Sequence, residues 1–228
     1  PVSAFPVDGA TNAFNAAFGT GYAHLGDGNY AVYAGAGTNV DVTGLANDTI
    51  YHIRVFEYSG TNTTINYNTN AAALNPISQT TMAANPGSNP SDLVISAIGT
   101  NVFTITWTKG TTGTNTLIVI RAGGNPVDPS DLISYTADVA FGAGSDLGSG
   151  SYVVYNGTGS SVTVTNLTPG ASYTVEASSF NGSGGSENYR GTPTSTSAST
   201  QMPEPSQATG LAFGTLADTS YAVSYTAG

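Results

Sequence analysis

Tyr30-Ala-Val-Tyr33 recurs as Tyr152-Val-Val-Tyr155, 122 positions further along the chain. At the same spacing Leu45 recurs as Leu167, Tyr51 as Tyr173, Asn66-Tyr67 as Asn188-Tyr189 and Gln79 as Gln201. Phe18-Gly-Thr-Gly21 matches Phe141-Gly-Ala-Gly144 one position out of step. Further on the spacing becomes 118, with Leu93 matched by Leu211 and Trp107 by Tyr225, which predicts a second linker four residues shorter than the first. Many separate identities at one spacing mean a structural unit used more than once. The unit is of domain size, and the 228 residues cut it out of phase. Residues 1–81 correspond to the C-terminal part of a first unit, 91–201 to a complete unit and 209–228 to the first two strands of a third. Residues 82–90 and 202–208 are the linkers. Each holds two prolines, Pro86 and Pro90, then Pro203 and Pro205, and proline stops a strand from running on and stiffens a joint.

Within the unit the period is two. Phe103, Ile105 and Trp107 alternate with threonines, Val162 and Val164 do the same, and Tyr173, Val175 and Ala177 alternate with Thr174, Glu176 and Ser178. Such alternation gives strands with one buried face and one face toward water. Abundant Val, Ile and Thr favour strands over helices. Asn-Gly, Gly-Ser and Gly-Asp pairs mark turns between the strands. Strands are expected near 92–98, 102–109, 115–121, 152–156, 161–167, 172–181 and 192–200. The best helical candidate, Asn12–Phe18, is one turn at most. The expected class is all-β.

Composition narrows what such a chain does. Its only cationic side chains are Arg54, Lys109, Arg121 and Arg190, against fourteen acidic ones, for a net charge of -10. A surface so poor in cations grips neither nucleic acid nor an anionic membrane. No cysteine is present, so disulfides, zinc knuckles and thiol nucleophiles are excluded. The longest aliphatic run, Leu117–Ile120, is far too short for a membrane helix.

Leu167-Thr-Pro-Gly-Ala-Ser-Tyr173 resembles the Leu-x-Pro-Gly-x-x-Tyr signature of fibronectin type III domains, and Trp107 stands where that family carries its strand-B tryptophan. The first unit keeps Leu45 and Tyr51 of the signature but not the Pro-Gly. The resemblance implies tandem seven-stranded Greek-key β-sandwiches of fibronectin type III-like (immunoglobulin-like) fold, one complete and two partial. It also implies a structural core containing Trp107, Tyr173, Leu167, Tyr51, Leu45 and Tyr225. A narrower likeness rests on Ile120-Arg-Ala-Gly-Gly124, Ala140-Phe-Gly-Ala-Gly144, Gly150-Ser-Tyr-Val-Val-Tyr-Asn-Gly157 and Phe180-Asn-Gly-Ser-Gly-Gly-Ser-Glu-Asn-Tyr189. These resemble repeats of large secreted Bacteroidetes surface adhesins and filament proteins exported by the type IX pathway. That likeness implies an extracellular, cell-surface location. Asp48-Thr49-Ile50 resembles the O-glycosylation triplet of the same bacteria, which makes Thr49 a candidate acceptor.

Catalytic chemistry finds little support. His24 and His52 are the only histidines, and the second unit carries Thr174 where the first carries His52. Chemistry built into a repeat recurs with it, so these histidines read as strand or loop residues. No Gly-x-Ser-x-Gly elbow is present. Asp8, Asp27, Asp128, Asp131, Asp138 and Asp146 are the calcium candidates, read against turn capping, and no Asp-x-Asp-x-Asp-Gly loop occurs. No catalytic, metal or cofactor site is assigned. The expected role is non-enzymatic: stalk repeats of an extracellular adhesin or filament, with neighbouring repeats as partners. The alternatives are a spacer of a secreted polysaccharide-degrading enzyme, or a carbohydrate-binding module presenting Tyr33, Tyr67, Tyr155 and Tyr189 to surface glycans.

Overall fold

A computed structural model describes residues 2–20 and 24–228. Gly21 of the Phe18–Gly21 match lies outside the described residues. The first unit carries short strands: β1 (His24–Gly26), β2 (Asn29–Tyr30), β3 (Ile50–Ile53), β4 (Tyr58–Ser59), β5 (Asn66–Tyr67) and β6 (Ile77–Thr80). The second carries β7 (Ser91–Ser96), β8 (Phe103–Thr108), β9 (Asn115–Ala122), β10 (Ser151–Gly157), β11 (Ser161–Val164), β12 (Ser172–Asn181), β13 (Asn188–Tyr189) and β14 (Thr194–Ser199). A hairpin of β15 (Thr209–Leu216) and β16 (Tyr221–Thr226) follows. The protein is all-β, with a single 3-10 turn at Asn62–Thr64 among the described residues. Asn12–Phe18 forms no helical turn, because Ala17 bridges Thr43 and Phe18 N–H donates to the Thr43 carbonyl.

In the second unit two antiparallel sheets face each other. One has the order β11-β8-β7; in the other β10, β9 and β12 lie side by side, with β13 and β14 both pairing with β12. Alternating residues from both sheets meet in one core. Phe103, Ile105, Trp107, Ile118, Ile120, Val164, Leu167, Tyr173 and Val175 are all buried there. Strand β9 departs from alternation because both of its faces are covered. Ile118 and Ile120 point into the core, while Leu117 and Val119 join Val153, Phe180 and Tyr189 in a second cluster. Tyr135, Ala137 and Leu147 of the long β9–β10 connection pack over that cluster. A strand apolar on successive residues is what a sheet covered on both faces requires.

Several local contacts of this geometry recur in the first unit. Tyr67 N–H donates to Asp8 Oδ1 at 2.8 Å, as Tyr189 N–H does to Asp131 Oδ1 at 2.7 Å. Phe18 sits edge-on to Tyr51 at 5.1 Å, as Phe141 does to Tyr173 at 5.2 Å. Gly60 and Gly182 both take positive φ, +84° and +87°, and a Cβ there would lie 2.2 Å from the Thr64 carbonyl oxygen and 2.4 Å from that of Ser186. Only glycine fits such an approach.

One match drawn from sequence shifts. Thr81 Oγ1 donates to the Ala46 carbonyl and accepts from Thr49 N–H, and Thr200 Oγ1 makes the equivalent bonds to Thr168 and Ala171. Thr81 therefore corresponds to Thr200, and Gln79 to Ala198 rather than Gln201. Strand register agrees, with Tyr51 opposite Gln79 and Tyr173 opposite Ala198. Three extra residues lie in the β5–β6 connection, around the Ala72–Asn75 turn. The linkers consequently differ by one residue, not four, with Gly87 the unmatched position. Gly110 and Gly228 confirm the later frame. A Cβ on either would lie 2.2 Å from the carbonyl oxygen of Ser88 or Ser206, respectively.

The expected core divides by unit. Trp107 (5 % exposed), Leu167 (3 %) and Tyr173 (1 %) are buried, whereas Leu45 and Tyr51 are half-buried. Tyr225 is a correction: it is 66 % exposed, because the β15–β16 hairpin has no second sheet packed on it among the described residues. Its register, Phe213 opposite Val223, nonetheless repeats Ile95 opposite Ile105.

Candidate functional site

The residues joining the first two units form an extended polar contact. Linker 82–90 lies along the end of β12, β13 and the turn between them. Ala83, Pro86 and Pro90 are buried. Ala83 N–H donates to the Ser186 carbonyl at 2.8 Å, and Asn188 Nδ2 donates to the Ala83 carbonyl at 2.8 Å. Asn181 Nδ2 donates to the Ala84 carbonyl at 2.8 Å. The Asn85 side chain donates to Asn188 Oδ1 and accepts from Arg190 Nη1. Asn89 accepts from Ser179 N–H and donates to the carbonyls of Gly191 and Thr192. One bond bypasses the linker: Ser186 Oγ donates to Asp48 Oδ1 of the first unit at 2.7 Å. A peptide bound through its own carbonyls, with asparagines pairing both ways, leaves few buried polar groups unmatched.

Corner and loop residues carry further polar contacts. Tyr173 Oη accepts from Thr168 N–H at 2.8 Å, and Tyr51 Oη from Ala46 N–H at 2.9 Å, so both corners are tied. Glu187 is buried beneath the β12–β13 turn and accepts from Ser134 Oγ and Gly185 N–H. Burial pushes its carboxyl up, but these hydrogen bonds outweigh it and hold Glu187 below the usual carboxylate value. Burial, then Asp128, pushes Glu176 up. Tyr189 is pushed well above an ordinary phenol by burial and by Glu187.

The other candidates disperse. His52 is exposed on β3 opposite Ser78, and the backbone of His24 pairs with Tyr30. Asp8, Asp131, Asp138 and Asp146 each accept from a backbone N–H. Among the described residues no three His, Asp or Glu side chains converge as a metal set would. Thr49 is half-buried at its corner, and its hydroxyl donates to the Asn47 carbonyl. Tyr155 and Tyr189 are not presented to a glycan. Tyr155 packs against Trp107 with 5.0 Å between ring centroids, and its hydroxyl accepts from Gly159 N–H. Tyr189 is 5 % exposed and donates to the Ile133 carbonyl.

No family model matches the chain, and no curated protein matches it. Solved structures do. A redesigned β-sandwich protein is 20 % identical over 53 % of this chain and 96 % of its own, with a TM-score of 0.37. A two-domain fibronectin type III segment of chicken tenascin is 17 % identical over 61 % of this chain and 62 % of its own, at 0.36. The fibronectin type III domain of human contactin 1 is 15 % identical over 56 % of this chain and 89 % of its own, also at 0.36. The chain is an all-β protein whose second unit is a two-layer antiparallel β-sandwich.

Proposed function

We propose that the chain is a run of non-enzymatic stalk repeats from an extracellular adhesin or cell-surface filament. The observation that carries the reading is the joint. Linker 82–90 is held by residues 179–192 through backbone and asparagine bonds, and Asp48 reaches Ser186 directly. A flexible tether between independently working modules needs none of these bonds, whereas a stalk transmitting position or force needs a fixed angle. The low content of Lys and Arg suits exposure to trypsin-like proteases. Nuclear spin relaxation on the full chain tests the joint. Amides of 2–81 and 91–199 share one anisotropic rotational diffusion tensor if it is fixed; separate tensors overturn the stalk reading. An antibody against 91–199 labels intact, unpermeabilised source cells, and a purely intracellular signal overturns the location.

A further inference from the structure

The surface that grips the linker in the second unit has a counterpart in the first. Subtracting the repeat spacing, Ser179, Phe180, Asn181, Asn188 and Arg190 become Glu57, Tyr58, Ser59, Asn66 and Asn68. These five line an open groove of about 270 Å³ in the first unit. Its walls have the same build. Tyr58 pairs with Tyr67 and Ser59 with Asn66, in the register of Phe180 with Tyr189 and Asn181 with Asn188. The turns above match as well. Thr61 N–H donates to Thr64 Oγ1 at 3.1 Å, as Ser183 N–H does to Ser186 Oγ at 3.1 Å.

We infer that the groove between Glu57 and Asn68 is a docking site for an interdomain linker of the Met82–Pro90 kind. Its occupant is an extended, uncharged peptide carrying Asn-Pro, presented by a neighbouring repeat. Asn66 occupies the position of Asn188, which in the second unit donates to the linker carbonyl at Ala83 and accepts from Asn85. Thr64 keeps the hydroxyl of Ser186. Ser59 is a shorter version of Asn181, and Asn68 replaces Arg190 with a side chain still able to donate to an asparagine. The occupant is uncharged because the linker held at the equivalent positions of the second unit has no charged residue, and Glu57 is the one charged group that lines the groove. This inference rests on the tandem-stalk reading and adds that the joint is a repeated recognition element.

The test is a titration of the isotope-labelled full chain with a blocked synthetic peptide of sequence Met82–Pro90, followed by amide shifts. Saturable shifts are expected at Glu57–Asn68, including the Asn66 side-chain amide. The 181–190 turn should stay unmoved, because its own linker occupies it. Asn66→Ala, or a peptide bearing Asn85→Ala, should weaken binding by about tenfold, the value of one or two lost hydrogen bonds. Three results overturn the inference: no saturable shift at millimolar peptide, shifts that survive both changes, or shifts centred on Val40 and Ile53. The last would mean apolar association instead. Failure here with one shared diffusion tensor would reject the docking site while leaving the stalk reading standing.

Discussion

Strand β12 and its counterpart β3 begin at the same corner and diverge in what surrounds them. Val175 and Ala177 are fully buried, while Ile53 and Val55, at the matching positions, are 47 % and 62 % exposed. Val162 on β11 is 7 % exposed and Val40, its counterpart, 38 %. The difference is the company each strand keeps. Strand β12 pairs with β9 and faces β8, whereas residues 2–81 hold no counterpart of β7, β8 or β9. Local geometry survives that lack. Corner tyrosines, turn glycines and aromatic pairs recur almost unchanged, so short-range sequence specifies the turns and long-range pairing converts them into a core. Even ladder formation follows. Residues 31–34 and 39–42 match β10 and β11 and form no strand. Their partners would be the counterparts of β9 and β8.

The sharpest way to break this contrast is at the core. Trp107→Ala should cost about 3–5 kcal/mol in urea denaturation by emptying the core space beside Tyr155. Ile53→Ala, on the exposed counterpart face, should fall within about 0.5 kcal/mol. Equal losses would mean that the first unit is closed in solution. The joint comes next. Asn188→Ala should cost about 1–3 kcal/mol by stranding the Ala83 carbonyl and Asn85, and Asn66→Ala should be near neutral in the same melts. Tyr173→Phe should cost about 1 kcal/mol through the lost corner bond. Tyr51→Phe should cost less, because water reaches that half-buried corner.

Two smaller effects depend on pH and exist in one unit only. Glu187 is held below the usual carboxylate value when folded, and its counterpart is Ile65. A depressed carboxyl adds stability above its unfolded value of about 4.3, lost as pH falls through the folded value. Melting curves of Glu187→Gln should therefore lose part of the acid dependence of the native chain below that pH. Glu176 works in the opposite sense. Its raised value makes ionisation unfavourable to folding, so stability falls as pH rises from the unfolded to the folded value. Asp128→Asn should raise the melting temperature at neutral pH and leave it unchanged under acid. In the first unit the same two positions hold Phe5 and Arg54, stacked at 4.5 Å, so no such dependence belongs there.

Much of the sandwich was legible because alternation exposes strands and a lone tryptophan marks a core. Phe103-Thr-Ile-Thr-Trp107 specifies its buried face unaided, and Leu167 with Tyr173 specifies the corner. The outer layer was not legible. Tyr135, Ala137 and Leu147 lie in an aperiodic stretch, and the only sign of them is the unbroken Leu117–Ile120 run, which a strand covered on one face has no need of. The joint was equally hidden, since Ala-Ala-Asn-Pro-Gly-Ser-Asn carries no period and its bonds run from carbonyls to asparagines more than a hundred positions away. The Gln79–Gln201 identity misled because the three extra residues between β5 and β6 shift the frame before Gln79, and the Thr81 and Thr200 hydroxyls carry the true alignment.

The docked linker also decides how the second sandwich meets a pull along the chain. Tension arriving through Met82 enters β7, which belongs to the three-stranded layer. On the way it passes Ala83, Ala84, Asn85 and Asn89, all tied to residues of β12, β13 and the turns beside them, which belong to the opposite layer. Thr194 at the head of β14 ties Pro90 to that layer as well. Traction is thus shared between both layers before β7 begins. Sliding one layer past the other requires several short polar bonds to fail together, where a free linker would let β7 peel away one bond at a time.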